Sequence, residues 1–542
     1  MRRAYFRQRL WVLAYGGFLT LLTALPYAAA WQAQGQAWRF SGFLVGLEDG
    51  NSYIAKMLLG SQGAWLFRPP YTTWPVDSLP VFLPYLWLGK LAAGQALHLQ
   101  LTVLFHWVRL LGVVALVLAT YDFLALFLAA ERWRRWGTVL ATAGAGLGWL
   151  LAPFVHLGWA GPLCFYSPET YGFLAALLLP HLTWARALLL WILRRILTAR
   201  HPKAAWHAAL LTLILGWLHP LELVPLLALL SVWGGVPLVW QGWRSGRKGA
   251  KLAWQRWVRM AAPAWGVAML WSVFYAVLSY SREYLRVWNA QNLIPSPPPW
   301  QYLFAYGWLL PFAWWGRRYW LRGGWRKALP WLWVLLLPVL LYAPLTVQRR
   351  LADGVWVAVS ALVAVGWAER ARGSEQGRAS PRARQAKRLL WGSTALLGLA
   401  VLPNLLFWAQ LFRPALTPQQ PVFLPQAEVA AFQALAAQAQ NGDGVLAAYT
   451  TGNALPAWAP VRVIAGLGPE SPYLETQRQN LHRFFDPAVS DDWRRDFLTE
   501  QRIRWVFWGP AERDLGAWQP TSAAFLCLRY NNEAYAFFEV CP

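Results

Sequence analysis

The chain is expected to fold as an all-α polytopic membrane bundle of about eleven transmembrane helices, residues 1–412, followed by a C-terminal extracytoplasmic α/β domain, residues 413–542. Three observations predict this. Of 542 residues, 57% are hydrophobic and only 13% are charged, against about 25% charged in average soluble domains. Apolar runs recur along most of the length, and several reach the ~20 residues that cross a hydrocarbon core. The charge balance then changes near Gln410: 39 of the 49 Lys+Arg but only 11 of the 24 Asp+Glu lie up to that residue, leaving 10 basic and 13 acidic residues after it. The basic excess of the first part reads as positive-inside loops, and no nucleic-acid-binding motif accompanies it. The 40 tryptophans suit a chain with many membrane–water interfaces, where indole rings settle.

Taken in order, the basic start Arg2 to Arg9 places the N-terminus in the cytoplasm. The run Leu10 to Ala30 is long and lacks a small-x-small cleavage site, so it reads as a retained first helix. Residues 31–97 form a first outer loop too apolar for ordinary coil, with interfacial helices near Ser52–Gly60 and Leu79–Ala93. Helix two, about Leu99–Leu126, stops at Glu131-Arg132-Trp133-Arg134-Arg135. Helices three and four, about Gly137–His156 and Tyr171–Leu193, flank an outer loop carrying Glu169. The run Trp206–Trp240 is interrupted at His219-Pro220, because proline removes a backbone donor and ends or kinks a helix. A basic cytoplasmic run, Arg244–Arg259, precedes helix seven, about Met260–Tyr280, and a Pro-rich outer loop follows. Helices eight to eleven fall near Gln301–Trp315, Leu329–Leu345, Leu351–Trp367 and Leu389–Phe412, with an Arg/Gly/Ser-rich cytoplasmic linker at 369–388.

After a Pro-rich connection, Pro414 to Pro425, the tail alternates between helical and strand patterns. Helices are expected at Glu428–Gln440, Tyr473–Phe484 and Ser490–Glu500. Strands are expected at Val445–Tyr449, Val461–Ala465 and Ile503–Trp508, with a closing hairpin, Phe525–Tyr530 and Ala534–Val540. Cys527 and Cys541 sit on the hairpin strands. The inferred register does not place them opposite each other, which argues against a disulfide.

Charges that work against the topology mark candidate chemistry. Glu48-Asp49 is a paired acid in the first outer loop of an acid-poor chain, followed by Asn51-Ser52-Tyr53. The plain alternative is a solvated helix N-terminus capped by Asp49 or Asn51. Gln348-Arg349-Arg350 falls at an outer helix end, where arginines suit a bidentate phosphate; the alternative is snorkelling to headgroups. His219, beside Pro220 and Glu222, lies where irregular backbone is tolerated only against protein or a water-filled cavity. Arg68, Arg282 and Arg286 are further outer cations. Asp122, His106 and His181 read as structural. Zinc-ligand spacing, a P-loop, a dinucleotide fingerprint and a serine-nucleophile elbow are all absent from the sequence.

These blocks resemble the GT-C class of multi-spanning bacterial membrane glycosyltransferases. The resemblance rests on Glu48-Asp49 with Ser52-Tyr53, on His219-Pro220, and on Trp288-Asn289-Ala290-Gln291-Asn292 running to Pro297-Pro298 and Tyr306-Gly307. It also rests on Gln348-Arg349-Arg350 with Gly354, and in the tail on Thr451-Gly452-Asn453, Gly466-Leu467-Gly468-Pro469-Glu470 and Gly509-Pro510-Ala511-Glu512-Arg513. It implies transfer of a hexose or pentose from a polyprenyl-phosphate donor to an extracytoplasmic glycan, lipid or protein acceptor at the cell membrane. By the same resemblance, Asp49, with Glu48 second, is the general base. Arg349 and Arg350 are the phosphate ligands, with Gln348, His219, Glu169 and Tyr53 as further substrate-binding positions. A divalent metal ion held by Asp49 and Glu48 is the only cofactor it allows. The Glu-Asp order and the Gly-Asn that follows depart from better-known members. The rival readings are a non-catalytic transporter or flippase, which should show repeats with paired broken helices, and a scaffold for lipid-linked envelope precursors.

Overall fold

The computed structural model describes residues 2–157, 161–199, 201–322, 324–375 and 380–541. The chain forms two compact units, each discontinuous in sequence. The first comprises Met1–Ala24, Val108–Val277 and Ile294–Gln410; the second comprises Leu25–Trp107, Leu278–Leu293 and Leu411–Pro542. Among the described residues six helices are long and apolar enough to span a bilayer: Arg7–Ala33, Leu97–Leu124, Pro220–Met260, Ala262–Ser281, Gln348–Arg372 and Lys387–Leu416. This is a multi-pass membrane protein.

The first unit is built around the helix Val355–Glu375. Its sequence is apolar all round, mixing Val and Ala with Ser360, Gly366 and two tryptophans, and a helix without a polar face must be surrounded. Residues 351–368 are all buried. The helix packs on Glu131–Ala143, Leu310–Trp314, Leu329–Leu341 and Ser380–Gln410. A Cβ at Gly366 would lie 2.0 Å from the Phe312 carbonyl oxygen, so only glycine permits that crossing.

Several predicted spans are more broken than the hydropathy suggests. Tyr171–Leu193 divides into Gly172–Leu178 and Pro180–Thr198, because Pro180 cannot continue the preceding helix. Gly137–His156 is α-helical only to Ala143 and then a 3-10 segment, Leu147–Leu157, after the run Gly144-Ala145-Gly146. Gln301–Trp315 is a series of short pieces, Pro299–Ala305, Gly307–Leu309 and Leu310–Trp314, punctuated by Gly307 and Pro311. The basic run Arg244–Arg259 is not a loop. It continues the helix Leu223–Met260 past a kink at Gly246, which has φ 59°. The expected linker at 369–388 is helical on both sides, through Glu375 and again from Ser380, since Arg, Ala and Gln are good helix formers; residues 376–379 lie outside the described set. The break at His219 is present as predicted, between Pro202–Leu218 and the turn Pro220–Glu222.

The second unit joins the loop segment between the first two long helices to the tail. Strand β1, Trp38–Phe40, pairs antiparallel with β2, Phe423–Pro425. The loop's two helices, Leu47–Ser61 and Leu83–Gly89, cross at paired glycines. A Cβ on Gly60 would lie 1.8 Å from the Leu86 carbonyl oxygen, and one on Gly89 1.8 Å from that of Met57. The tail holds a five-stranded mixed sheet. It consists of β3, Gly444–Leu446; β4, Arg462–Val463; β5, Ile503–Trp508; β6, Leu526–Asn531; and β7, Ala536–Val540, in the order β4-β3-β5-β7-β6. β3 is parallel to β4 and β5, and the β6–β7 hairpin closes the antiparallel side. Helices Gln426–Gln438, Leu474–Phe485 and Asp491–Glu500 accompany it, close to the predicted spans. The loop also reaches the sheet edge, where Val463 N–H donates to the Pro70 carbonyl at 2.8 Å.

One sequence expectation is overturned. Cys527 and Cys541 form a disulfide, with Cα atoms 5.9 Å apart. Cys527 pairs with Glu539, and the ladder ends at Leu526 and Val540. Cys541 is two residues beyond Glu539, on the same face of the strand, so the two sulfurs meet diagonally instead of directly across. Cys164 is the remaining cysteine and is buried. Denatured, unreduced protein should therefore label one thiol and reduced protein three, with the Cys527–Cys541 peptide pair found by mass spectrometry; three labelled thiols without reduction would contradict the bridge.

Candidate functional site

The acidic pair lies on the helix Leu47–Ser61 of the second unit. The helix begins after Gly46, which adopts the left-handed conformation at φ 63°, and Glu48 and Asp49 both lie in the first turn. Neither residue is the cap, nor is Asn51, which is buried one turn further on. Both acids are exposed, and anions are favoured at the positive end of a helix. The Tyr449 hydroxyl donates to Glu48 Oε2 at 3.1 Å. Burial and the Glu48 charge push the Tyr449 phenol up to about 12, so it stays a donor to the carboxylate at neutral pH. Tyr53 is half-buried and stacks on Tyr85 at 4.3 Å.

The stripe of this helix that runs from Glu48 through Asn51 and Ser52 to Lys56 is locked to the tail. Asn51 Nδ2 donates to Asn453 Oδ1 at 2.8 Å, and Asn453 Nδ2 donates to the carbonyls of Gly466 at 2.8 Å and Glu48 at 3.3 Å. Tyr71 hydroxyl donates to the Asn453 carbonyl at 3.1 Å. One turn on, Lys56 and Glu470 form an ion pair at 2.6 Å with side chains 1% and 5% exposed. Ser52 bonds both partners. The Lys56 ammonium sits 4.4 Å from the Phe82 ring centroid. Tyr284 hydroxyl donates to the Glu470 backbone carbonyl, and Gln291 accepts from Tyr473 N–H and donates to the carbonyls of Gly468 and Ser471. The close backbone approach needs glycine: a Cβ on Gly452 would lie 2.2 Å from the Ala465 oxygen.

The basic candidates belong to the first unit. Gln348–Ala352 is a 3-10 turn leading through Asp353 and Gly354, at φ +75°, into the buried helix. Arg350 Nε lies 3.3 Å from Glu169 Oε1. The Arg349 guanidinium covers the Tyr166 ring at 4.7 Å. Gln348 braces the neighbouring loop, accepting from Ser296 N–H and donating to the Ala343 carbonyl. Arg186 holds the arrangement: its Nε pairs with Asp353 Oδ1 at 2.6 Å, and its Nη2 donates to both the Pro168 and Glu169 carbonyls. The turn Pro220–Glu222 packs against Gln348–Ala352, and the His219 ring stacks on His181 at 5.3 Å. His219 Nδ1, Glu222 Oε1, Asp353 Oδ2 and the Nε atoms of Arg349 and Arg350 are buried without hydrogen-bond partners. Glu169, Gln348, Arg349, Arg350 and His219 are thus gathered in one unit, and Glu48, Asp49 and Tyr53 in the other. The remaining outer cations bind locally, Arg282 to Asp77 and Arg68 to Ser78. Asp122 is structural, paired with Arg9 at 2.8 Å.

Comparison with solved structures follows this geometry. An Archaeoglobus fulgidus oligosaccharyltransferase, solved with a tethered acceptor peptide, matches 98% of this chain over 74% of its own, at 11% identity and TM-score 0.55. The fold is that of the GT-C membrane glycosyltransferases. A second structure of the Archaeoglobus fulgidus enzyme, in complex with an inhibitory peptide and a dolichol-phosphate, matches at 12% identity, 98% and 74% coverage, and TM-score 0.50. Arabinofuranosyltransferase AftD from Mycobacteria matches at 13% identity and TM-score 0.50, covering 97% of this chain and 41% of that one. No protein-family model matches the chain, and no curated protein does.

Glu48 and Asp49 do not make a metal site between them. Adjacent helical side chains diverge, Glu48 is engaged by Tyr449, and no three His, Cys, Asp or Glu side chains gather among the described residues. No step below is routed through a metal. Lys56, Asn453, Glu470, Arg186 and Asp353 escaped the sequence reading as individual functional residues. The available signal was a lone charge inside an apolar run, at Lys56 and Arg186. Two further buried acids brace the tail. Glu512 accepts from Ala448 and Gly509 N–H. Glu428, bonded by Gln420, is pushed from 4.5 to about 7, chiefly by burial and then by the Glu512 charge; burial also raises Glu512. A carboxyl raised in the folded state is stabilising while protonated, so stability is lost as pH rises from about 4.5 through about 7. Thermal unfolding of the detergent-solubilised protein should fall across that window, and Glu428→Gln should flatten the fall; a pH-independent midpoint in the wild type would contradict it.

Proposed function

We propose that the protein is a membrane glycosyltransferase that moves a sugar from a polyprenyl-phosphate donor to an extracytoplasmic acceptor. The observation that carries this is the paired carboxylate, exposed on the first turn of a helix that is fixed to the tail, in a chain with the GT-C fold over nearly its whole length. In this reading the bundle has about eleven crossings with the N-terminus in the cytoplasm. The tail is extracytoplasmic, which suits its disulfide, since such bonds persist in oxidising compartments.

Asp49 takes the proton of the acceptor hydroxyl as that oxygen attacks the anomeric carbon. The bond from that carbon to the phosphate oxygen breaks, and polyprenyl phosphate leaves. Glu48, held by Tyr449, supplies a second negative charge beside the base. Arg349 and Arg350 bind the lipid phosphate and stabilise the charge it gains; the buried, unbonded Nε of Arg349 supports this role. His219, Glu169 and Gln348 shape the surroundings of those arginines. Asp49→Asn in protein reconstituted with synthetic polyprenyl-phosphate sugars and hydroxyl acceptors, water included, should lower polyprenyl phosphate release about 10²–10⁴-fold without loss of insertion; retained release would remove Asp49 as base. Arg349→Ala with Arg350→Ala should raise the donor KM by roughly tenfold or more, and an unchanged KM would remove the phosphate role.

A further inference from the structure

The C-terminal domain contributes more contacts to the acidic helix than its position at the end of the chain suggests. Glu48, Asn51, Ser52 and Lys56 recur at helical spacing, so they share one stripe of the helix. Every one of them bonds a residue between Tyr449 and Glu470. Asn453 is the node. It is 5% exposed, and its amide uses the oxygen for Asn51 and the nitrogen for Gly466 and Glu48, while its backbone carbonyl receives Tyr71. Lys56 and Glu470 add a second anchor one turn along, walled by Phe82 and bonded by Ser52. A helix held at two successive turns by buried polar bonds has little freedom to shift or rotate. The carboxylates on its first turn inherit that restriction.

We propose that Asn453, with the Lys56–Glu470 pair behind it, positions the Glu48-Asp49 carboxylates, making the C-terminal domain a working part of the catalytic unit. This rests on the glycosyltransferase reading above. Asn453 and Glu470 are positioning residues, acting on the reacting groups through Asn51, the Glu48 carbonyl and Lys56. A base displaced by about 1 Å loses on the order of 10²-fold in rate while donor binding, made elsewhere, is retained. The expected signature is therefore a fall in kcat without a change in the donor KM.

The test uses the full chain in lipid nanodiscs with a panel of synthetic polyprenyl-phosphate hexoses and pentoses and a panel of hydroxyl acceptors (glycosides, a lipid alcohol, Ser/Thr peptides and water itself), reading polyprenyl phosphate release together with the glycosylated or hydrolysed product. It is paired with hydrogen–deuterium exchange over Leu47–Ser61. Asn453→Ala should lower kcat at least tenfold at constant KM and raise exchange in that helix. Asn51→Ala removes the helix side of the same bond and leaves Asn453 bonded to Gly466, so it should give the same split in a tail whose β5 exchange is unchanged. Kinetics of both variants within twofold of wild type, or equal loss in kcat and gain in KM, would overturn the positioning role. If wild-type protein releases no polyprenyl phosphate from any donor, the glycosyltransferase reading fails. Exchange then decides the lock alone: faster exchange in Leu47–Ser61 of Asn51→Ala supports it, and unchanged exchange overturns it.

Discussion

A buried ion pair, Lys56 with Glu470, is the constraint on which the second unit depends. Both charges are buried, and Glu470 Oε2 makes no hydrogen bond to the protein. Desolvation makes such a pair weak evidence for net stability, yet removing one partner leaves a buried charge uncompensated. The pair therefore acts as a registration device. It allows one placement of the helix Leu47–Ser61 against the loop Gly466–Ser471, and the neighbouring Asn51–Asn453 bond fixes the same placement by shape. Two glycine crossings brace the segments that carry these side chains: Gly60 seats the acidic helix on Leu86 of the loop's other helix, and Gly452 seats the segment bearing Asn453 on Ala465.

The first unit applies the same physics to cations. Arg186 and Asp353 are 2% and 1% exposed and bond at 2.6 Å. Through the Pro168 and Glu169 carbonyls, Arg186 sets the loop whose Glu169 faces Arg350. Arg349 and Arg350 are held at the start of a helix that is buried on every side, with Gly354 turning the chain into it where any Cβ would meet Trp333 at 2.7 Å. Polar groups in such surroundings are expensive unless paired or functional. Arg186 and Asp353 are paired, and Arg350 faces Glu169; Arg349, whose buried Nε is unbonded, is the arginine that most calls for a ligand.

Much of this was legible in the sequence. Periodicity located the body of the helix at Ser52–Gly60 but not its first turn, which carries Glu48-Asp49, and it located the break at His219-Pro220 and the strand Ile503–Trp508, because apolar spacing and proline act locally. The tail blocks around Asn453 and Glu470 were singled out, and the structure turns them into the partners of Asn51 and Lys56. That pairing was not legible: it joins residues about 400 positions apart in the chain, and nothing local in either segment names the other. The Cys527–Cys541 bridge is hidden from the sequence for a smaller reason: hairpin register points to directly opposed residues, and this bond is diagonal. The fragmented helices at Tyr171–Leu193 and Gln301–Trp315 show hydropathy averaging over Pro180, Gly307 and Pro311, whose effect is on backbone geometry and not on polarity.

The central claim is that the Lys56–Glu470 pair registers the carboxylate helix on the tail. A double-mutant cycle with Lys56→Met and Glu470→Leu, read as thermal unfolding of the full chain in detergent, tests it most directly. Each single change should cost about 3–5 kcal/mol by stranding the other charge, and the double change should recover most of that loss. Small single effects that simply add in the double variant would contradict the account.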